Sequence, residues 1–216
     1  MKTLIAIQRG GEGKLGIYTL STDYEIVYSL MDHAHISPDK LHKLTRLSST
    51  AFYNRLKDLE RNGAIVSCVN VEDRRGRLYS LSDDMRLLIM NQHKGYMDLV
   101  RSRVETAQRA GQNLNIYRSY IKKGNIVNHL TAEFQILLYL YLKSGISNLD
   151  ISHVVDVSIT KFHTSLTQLV SMGLVRYDKD PADGRSKLYY LPDQTRSVLA
   201  DLHEQVFQWL QEKTHR

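Results

Sequence analysis

The sequence aligns with itself, without a gap, at an offset of 110 residues. Residues 21–26 fall on 131–136, and Ser48, Thr50, Phe52, Leu56, Leu59 and Gly63 fall on Ser158, Thr160, Phe162, Leu166, Leu169 and Gly173. Further along, Asp73, Arg75, Leu78, Tyr79, Leu81, Asp83 and Arg86 meet Asp183, Arg185, Leu188, Tyr189, Leu191, Asp193 and Arg196. Segments 21–91 and 131–201 share about 17 identities in roughly 71 positions, where chance gives about 4 or 5. A period this long is a whole small domain, unlike the short unit of a solenoid. The chain is therefore expected to hold two related domains, 1–110 and 111–216.

Each copy carries the same succession of signals. A first helix is expected over about 21–34 (131–143 in the second copy), with Tyr24, Val27, Leu30 and Met31 at helical spacing. Ser37-Pro38, a cap residue before a proline at the first helical position, opens a second helix through Leu41 and Leu44. Ser48 caps a third, with Phe52, Leu56 and Leu59 on one face and Gly63 as its stop. Residues 64–69 read as a strand, 72–76 as a turn and 77–81 as the returning strand. An amphipathic helix from Asp83 then places Met85, Leu88, Ile89, Tyr96, Leu99 and Val100 on one stripe. The expected class is mainly α with small β-hairpin wings: tandem winged helix-turn-helix domains joined by long amphipathic helices, with pseudo-twofold symmetry.

Composition narrows the function. Hydrophobic residues make up 42% and charged residues 24% of the 216, a globular balance. The single cysteine, Cys68, excludes an internal disulfide and any Cys-x-x-Cys metal centre. It falls in an expected strand and reads as a small half-buried residue rather than a redox sensor. The apolar run Leu4–Ile7 is too short for a signal peptide and nothing approaches a membrane span, so a cytoplasmic location is expected. Lys plus Arg (29) exceed Asp plus Glu (23), and the pI is about 9.3, which leans towards nucleic acid.

A helix-turn-helix sets its second helix in the major groove, with the N-terminal turns nearest the base edges. Opposite the core face of the third helix stand Ser49, Thr50, Tyr53, Asn54 and Lys57, following Ser48. Hydroxyls there bond phosphates or bases, Asn54 matches adenine and Lys57 a phosphate or guanine. The same face also reads as capping residues on a solvated surface. In the turn, Arg74, Arg75 and Arg77 repel one another unless they meet solvent or an anion, and a narrow minor groove supplies one. Asp73 is expected to fix that turn. In the second copy Ser158, Thr160, Lys161, His163 and Thr164, with Arg185 and Lys187 in the wing, take the corresponding DNA-facing places.

Leu41 through Gly63, followed by the wing Glu72-Asp73-Arg74-Arg75-Gly76-Arg77-Leu78-Tyr79-Ser80-Leu81, resembles the MarR (multiple antibiotic resistance regulator) family of winged-helix transcription factors. The second copy resembles it in its wing as well, with glycine where the first has Arg74. The resemblance implies a sequence-specific double-stranded DNA-binding transcriptional regulator, and it leaves room for a small-molecule effector. Family members usually carry one such domain and dimerise; this chain looks like a fused dimer. Its helices 83–109 and 193–215, completed by Gln112–Asn128, are expected to pair within the chain as a pseudo-dimer, with a further homodimer left open. A tandem winged-helix replication initiator and a winged-helix protein-interaction scaffold are the alternatives.

The copies differ in charge. Between Ser37 and Gly63 stand Lys40, Lys43, Arg46, Arg55, Lys57 and Arg61 against three acids; between Ser147 and Gly173 stands Lys161 against Asp150 and Asp156. The first copy is therefore expected to dominate DNA affinity. His33 and His35, two apart on a helix, point to different faces, and no metal is expected. Gly10–Lys14 lacks the spacing of a phosphate loop. With no Ser/His/Asp set or paired carboxylates, neither an enzyme nor a cofactor is expected.

Overall fold

The computed structural model describes residues 15–71, 76–91 and 130–214, which separate into two compact units: 20–71 with 76–91, and 15–19 with 130–214. The first unit runs α1 (Thr22–Met31), α2 (Pro38–His42), α3 (Ser49–Arg61), β1 (Ile65–Val69), β2 (Arg77–Leu81) and a helical segment 83–91. The second runs α4 (Ala132–Leu142), β3 (Ile146–Ser147), α5 (Asn148–Ser152), α6 (Ile159–Ser171), β4 (Arg176–Lys179), β5 (Lys187–Tyr190) and α7 (Asp193–Thr214).

α1 is buried on almost every side: Ile26, Val27, Tyr28, Leu30 and Met31 lie in the core, and so do the polar Glu25 and Ser29. A single apolar stripe understates it, because residues 25–31 are buried in an unbroken run. Ser37 holds the N-cap position of α2 without a side-chain capping bond, and Pro38 follows in the first turn. Ser48 caps α3, its hydroxyl accepting from the Ala51 N–H at 3.4 Å. Phe52, Leu56 and Leu59 bury the inner face of α3. At its end Gly63 adopts φ 71°, the Ala64 N–H reaches back to the Leu59 carbonyl and the Gly63 N–H to that of Glu60. This is a Schellman stop, which a left-handed glycine permits without Cβ strain. α6 ends identically, with Gly173 at φ 71° and Leu174 N–H on the Leu169 carbonyl.

The strands β1 and β2 are antiparallel, Ile65 opposite Leu81 and Val69 opposite Arg77. A bridge from Ile36 to Tyr79 ties the loop between α1 and α2 to the hairpin. In the second unit that contact lengthens into β3, giving the order β3-β5-β4 with Ile146 opposite Tyr189. Residues 15–19 belong to this unit: Thr131 donates its N–H to the Thr19 carbonyl (2.9 Å) and its hydroxyl to that of Tyr18 (2.6 Å).

Equivalent backbone groups are satisfied in the two units by different side chains. The buried Glu25 carboxylate accepts from the Arg46 backbone N–H at 2.7 Å and pairs with the Arg46 guanidinium, which also donates to the Leu20 carbonyl at 2.8 Å. In the second unit Gln135 does both tasks alone. Its Oε1 accepts from the Asp156 N–H (2.8 Å) and its Nε2 donates to the Leu130 carbonyl (3.2 Å). A carboxylate only accepts, so Glu25 requires an arginine to reach the second group; an amide carries a donor of its own. Arg86 and Arg196 also match, donating to the Met31 (3.2 Å) and Tyr141 (3.0 Å) carbonyls at the ends of α1 and α4.

Two expectations are corrected. Cys68 lies in β1 but is exposed, its Sγ 3.9 Å from His35 Nδ1. The strand buries Ile65 and then runs outward, so its far end leaves the core. Leu88 is 48% exposed although Ile89 beside it is fully buried, since neighbours on a helix point about 100° apart. Tyr96, Leu99, Val100 and Gln112–Asn128 lie outside the described residues, as do Gly10–Lys14.

Candidate nucleic-acid interface

The outer face of α3 is built by the burial of its inner one. With Phe52, Leu56 and Leu59 inward, the 3.6-residue period turns Ser49, Thr50, Tyr53, Asn54 and Lys57 outward, and all are exposed, as is Ser48. The Tyr53 hydroxyl donates to Asp39 Oδ1 at 3.3 Å. Partial desolvation, then the Asp39 charge and hydrogen bond, raises the phenol's pKa above its ordinary value, so Tyr53 stays a neutral donor. Arg74, Arg75 and Asp73 lie outside the described residues. Arg77 begins β2 and turns back: its Nη1 is 3.3 Å from both Glu60 Oε1 and the Ser67 hydroxyl, which itself donates to Glu60 at 2.6 Å. This arginine is thereby anchored to the end of α3.

In the second unit Phe162, Leu166 and Leu169 face inward and Thr160, Lys161, His163 and Thr164 outward. Ser158 caps α6 by accepting the Lys161 N–H at 3.3 Å, and the Thr164 hydroxyl donates to the Thr160 carbonyl at 3.0 Å. Leu149 (61% exposed) and Ile159 (59%) stand where the first unit has Asp39 and Ser49, giving this surface apolar groups of a kind that meet thymine methyls.

The wing of the second unit is braced by carboxylates. Asp183 accepts from the Arg185 N–H (3.1 Å) and the Ser186 hydroxyl (2.7 Å), and these bonds hold its carboxyl below the ordinary aspartate range. Asp180 accepts from the Ala182 N–H at 2.9 Å. Asp183 thus has the turn-fixing place expected for its counterpart Asp73. Arg185 is exposed at the tip, and Lys187 lies with Nζ 4.0 Å over the Tyr177 ring.

Sequence reasoning missed Glu133 and Ser165. The Lys161 ammonium sits 2.8 Å from Glu133 Oε1, and the buried Ser165 hydroxyl donates to the same oxygen at 2.7 Å. Burial pulls the Glu133 carboxyl up, but bonds from Lys161, Ser165 and its own backbone outweigh it and hold the group below its usual value. Nothing in linear spacing points to this cluster, because Glu133 and Lys161 are brought together only when α4 packs on α6.

Residues 131–176, from the cap of α4 to the start of β4, match the family model for winged helix-turn-helix DNA-binding domains. The second unit is a winged helix-turn-helix. Among solved structures, this chain is similar to the PcaV transcriptional regulator from Streptomyces coelicolor, at 22% identity over 38% of this chain and 61% of that one, with a TM-score of 0.34. It is also similar to a mutant MarR from E. coli complexed with operator DNA, at 26% identity over 55% of this chain and 81% of that one, TM-score 0.35. A third is the transcriptional repressor CouR bound to a 23-mer DNA duplex, at 23% identity, 48% and 72% coverage and TM-score 0.35. The match covers less than two thirds of the PcaV chain. No curated protein matches.

Among the described residues no three His, Cys, Asp or Glu side chains group as a metal site, and no helix is long and apolar enough to cross a membrane. His33 and His42 are instead bonded to the Ser29 (2.7 Å) and Leu47 (2.8 Å) carbonyls.

Proposed function

We propose that this chain is a cytoplasmic, non-enzymatic transcriptional regulator that binds double-stranded DNA sequence-specifically through two tandem winged helices. The observation that carries the reading is the winged helix-turn-helix match over 131–176, which includes all of α6. The first unit supports its extension: the same order of helices and hairpin, the same serine cap and the same glycine stop. In this reading α3 presents Ser48, Ser49, Thr50, Tyr53, Asn54 and Lys57, with Arg74, Arg75 and Arg77 in its wing. α6 presents Ser158, Thr160, His163 and Thr164, with Arg185 and Lys187 in its wing, and Lys161 stands on the same face in contact with Glu133. Pairing of the domains 1–110 and 111–216 as a pseudo-dimer within the chain, and an effector acting on it, belong to the same proposal.

Because the two reading helices carry different residues, one chain reads a non-palindromic site. The test is a titration of duplex DNA with the whole chain and with Lys57→Ala. Affinity falls steeply with salt, and removing a phosphate-contacting lysine flattens the plot of log K against log salt by about 0.9. Salt-independent binding, or none, contradicts the proposal.

A further inference from the structure

The outer face of α6 carries a single cation, Lys161, in the first turn. All six basic side chains of the helix-turn-helix in the first unit are absent from their counterparts: Lys40, Lys43, Arg46, Arg55, Lys57 and Arg61 correspond to Asp150, His153, Asp156, Ser165, Thr167 and Ser171. Lys161 does not simply stand in for them. Its Nζ is 2.8 Å from Glu133 Oε1, and Glu133 is only 12% exposed while Lys161 is 52% exposed. Two other side chains hold the carboxylate in place, Lys161 and the fully buried Ser165, both on α6 itself. A lysine in a first helical turn also faces the positive end of the helix dipole, which an adjacent carboxylate offsets. The first unit has no such pair, since Ala51 stands at the place of Lys161 and Arg55 at that of Ser165.

Resting on the DNA-binding reading above, we propose that Glu133 is a positioning residue that keeps Lys161 from neutralising a phosphate, so that α6 reads DNA through neutral groups. A phosphate approaching Lys161 has to displace a partner that is already fixed, and it meets the charge of Glu133 once displaced. Phosphate neutralisation is the sequence-independent part of DNA affinity. Locking away the one lysine therefore lowers non-specific binding by the second unit and leaves Thr160, His163, Thr164 and the apolar Ile159 as its reading groups.

The test uses the whole chain with Glu133→Gln, which keeps the size of the side chain and an oxygen for Ser165. On random-sequence duplex at low salt, affinity is expected to rise about three- to tenfold and the salt slope to steepen by about 0.9. Adding Lys161→Met to that variant abolishes the gain, whereas Lys161→Met alone leaves the wild-type slope unchanged. If Lys161→Met alone flattens the slope by about 0.9, or Glu133→Gln changes neither affinity nor slope in a chain that binds DNA, the inference is overturned and the DNA reading stands. If neither wild type nor Glu133→Gln binds DNA, both fall. Circular dichroism melts of each variant establish that folding is retained.

Discussion

Glu25 is buried and acceptor-only, and its two neighbouring backbone groups ask for a donor and an acceptor. Arg46 supplies the missing donor, so Arg46→Ala leaves a buried carboxylate with half its partners and is expected to cost about 2–3 kcal/mol. The second unit shows the alternative solution, and it transplants: Glu25→Gln combined with Arg46→Asp copies Gln135 and Asp156. Urea midpoints of the single and double variants measure this. The double variant should recover most of the loss, and strict additivity of the two changes would refute the equivalence. A second residue-scale prediction concerns His203, buried on α7 and edge-on to Tyr141 at 4.7 Å. Burial pushes its pKa from 6.5 down to about 3. Above pH 6.5 the ring is neutral folded or unfolded. Below it the unfolded chain takes a proton that the folded chain refuses, so stability falls as pH drops towards 3, by up to about 1.4 kcal/mol per pH unit. His203→Leu should flatten that acid limb in pH-dependent urea titrations; an unchanged limb would remove His203 as its cause.

At the scale of elements, α3 and α6 are set by their ends. Ser48 and Ser158 start them, and Gly63 and Gly173 at φ 71° stop them just ahead of the hairpins, which begin at Ile65 and Arg176. Neither glycine has a neighbour that a Cβ would strike, so the cost of substitution is conformational alone. Gly63→Ala and Gly173→Ala should each lose about 1–2 kcal/mol, the left-handed penalty, in thermal or urea unfolding, and a neutral outcome would mean the stop is not held there. These elements were the most legible part of the sequence. Serine caps, a proline at the start of α2, glycine stops and the 3.6-residue spacing of Phe52, Leu56 and Leu59 are local signals with local causes. What sequence could not reveal was set by packing. The unbroken burial of residues 25–31 in α1, the outward turn of Cys68 and the exposure of Leu88 depend on which elements cover which faces. The Glu133–Lys161–Ser165 cluster depends on α4 meeting α6 across 28 residues of chain. The outer face of α3 was readable because it is the complement of the buried face; the partner of Arg77 on α3 was not.

Over the whole molecule, the two units each run through helices into an antiparallel hairpin and differ in charge. Cations cluster on residues 37–63 of the first, while the second braces its hairpin with Asp180 and Asp183 and holds Lys161, the lone lysine of α6, on Glu133. Under the proposed function, this difference in charge gives most of the phosphate attraction to the first unit and a weaker, less salt-dependent contact to the second. The most direct measurement is selection of the intact chain on a random-sequence duplex library at two salt concentrations, repeated with Asn54→Ala/Lys57→Ala and with Thr160→Ala/Thr164→Ala. The expected result is one asymmetric two-part motif, from which each double variant erases a different part, the first with the larger loss of salt-dependent affinity. A motif that survives both variants, or no enrichment at either salt concentration, would contradict it.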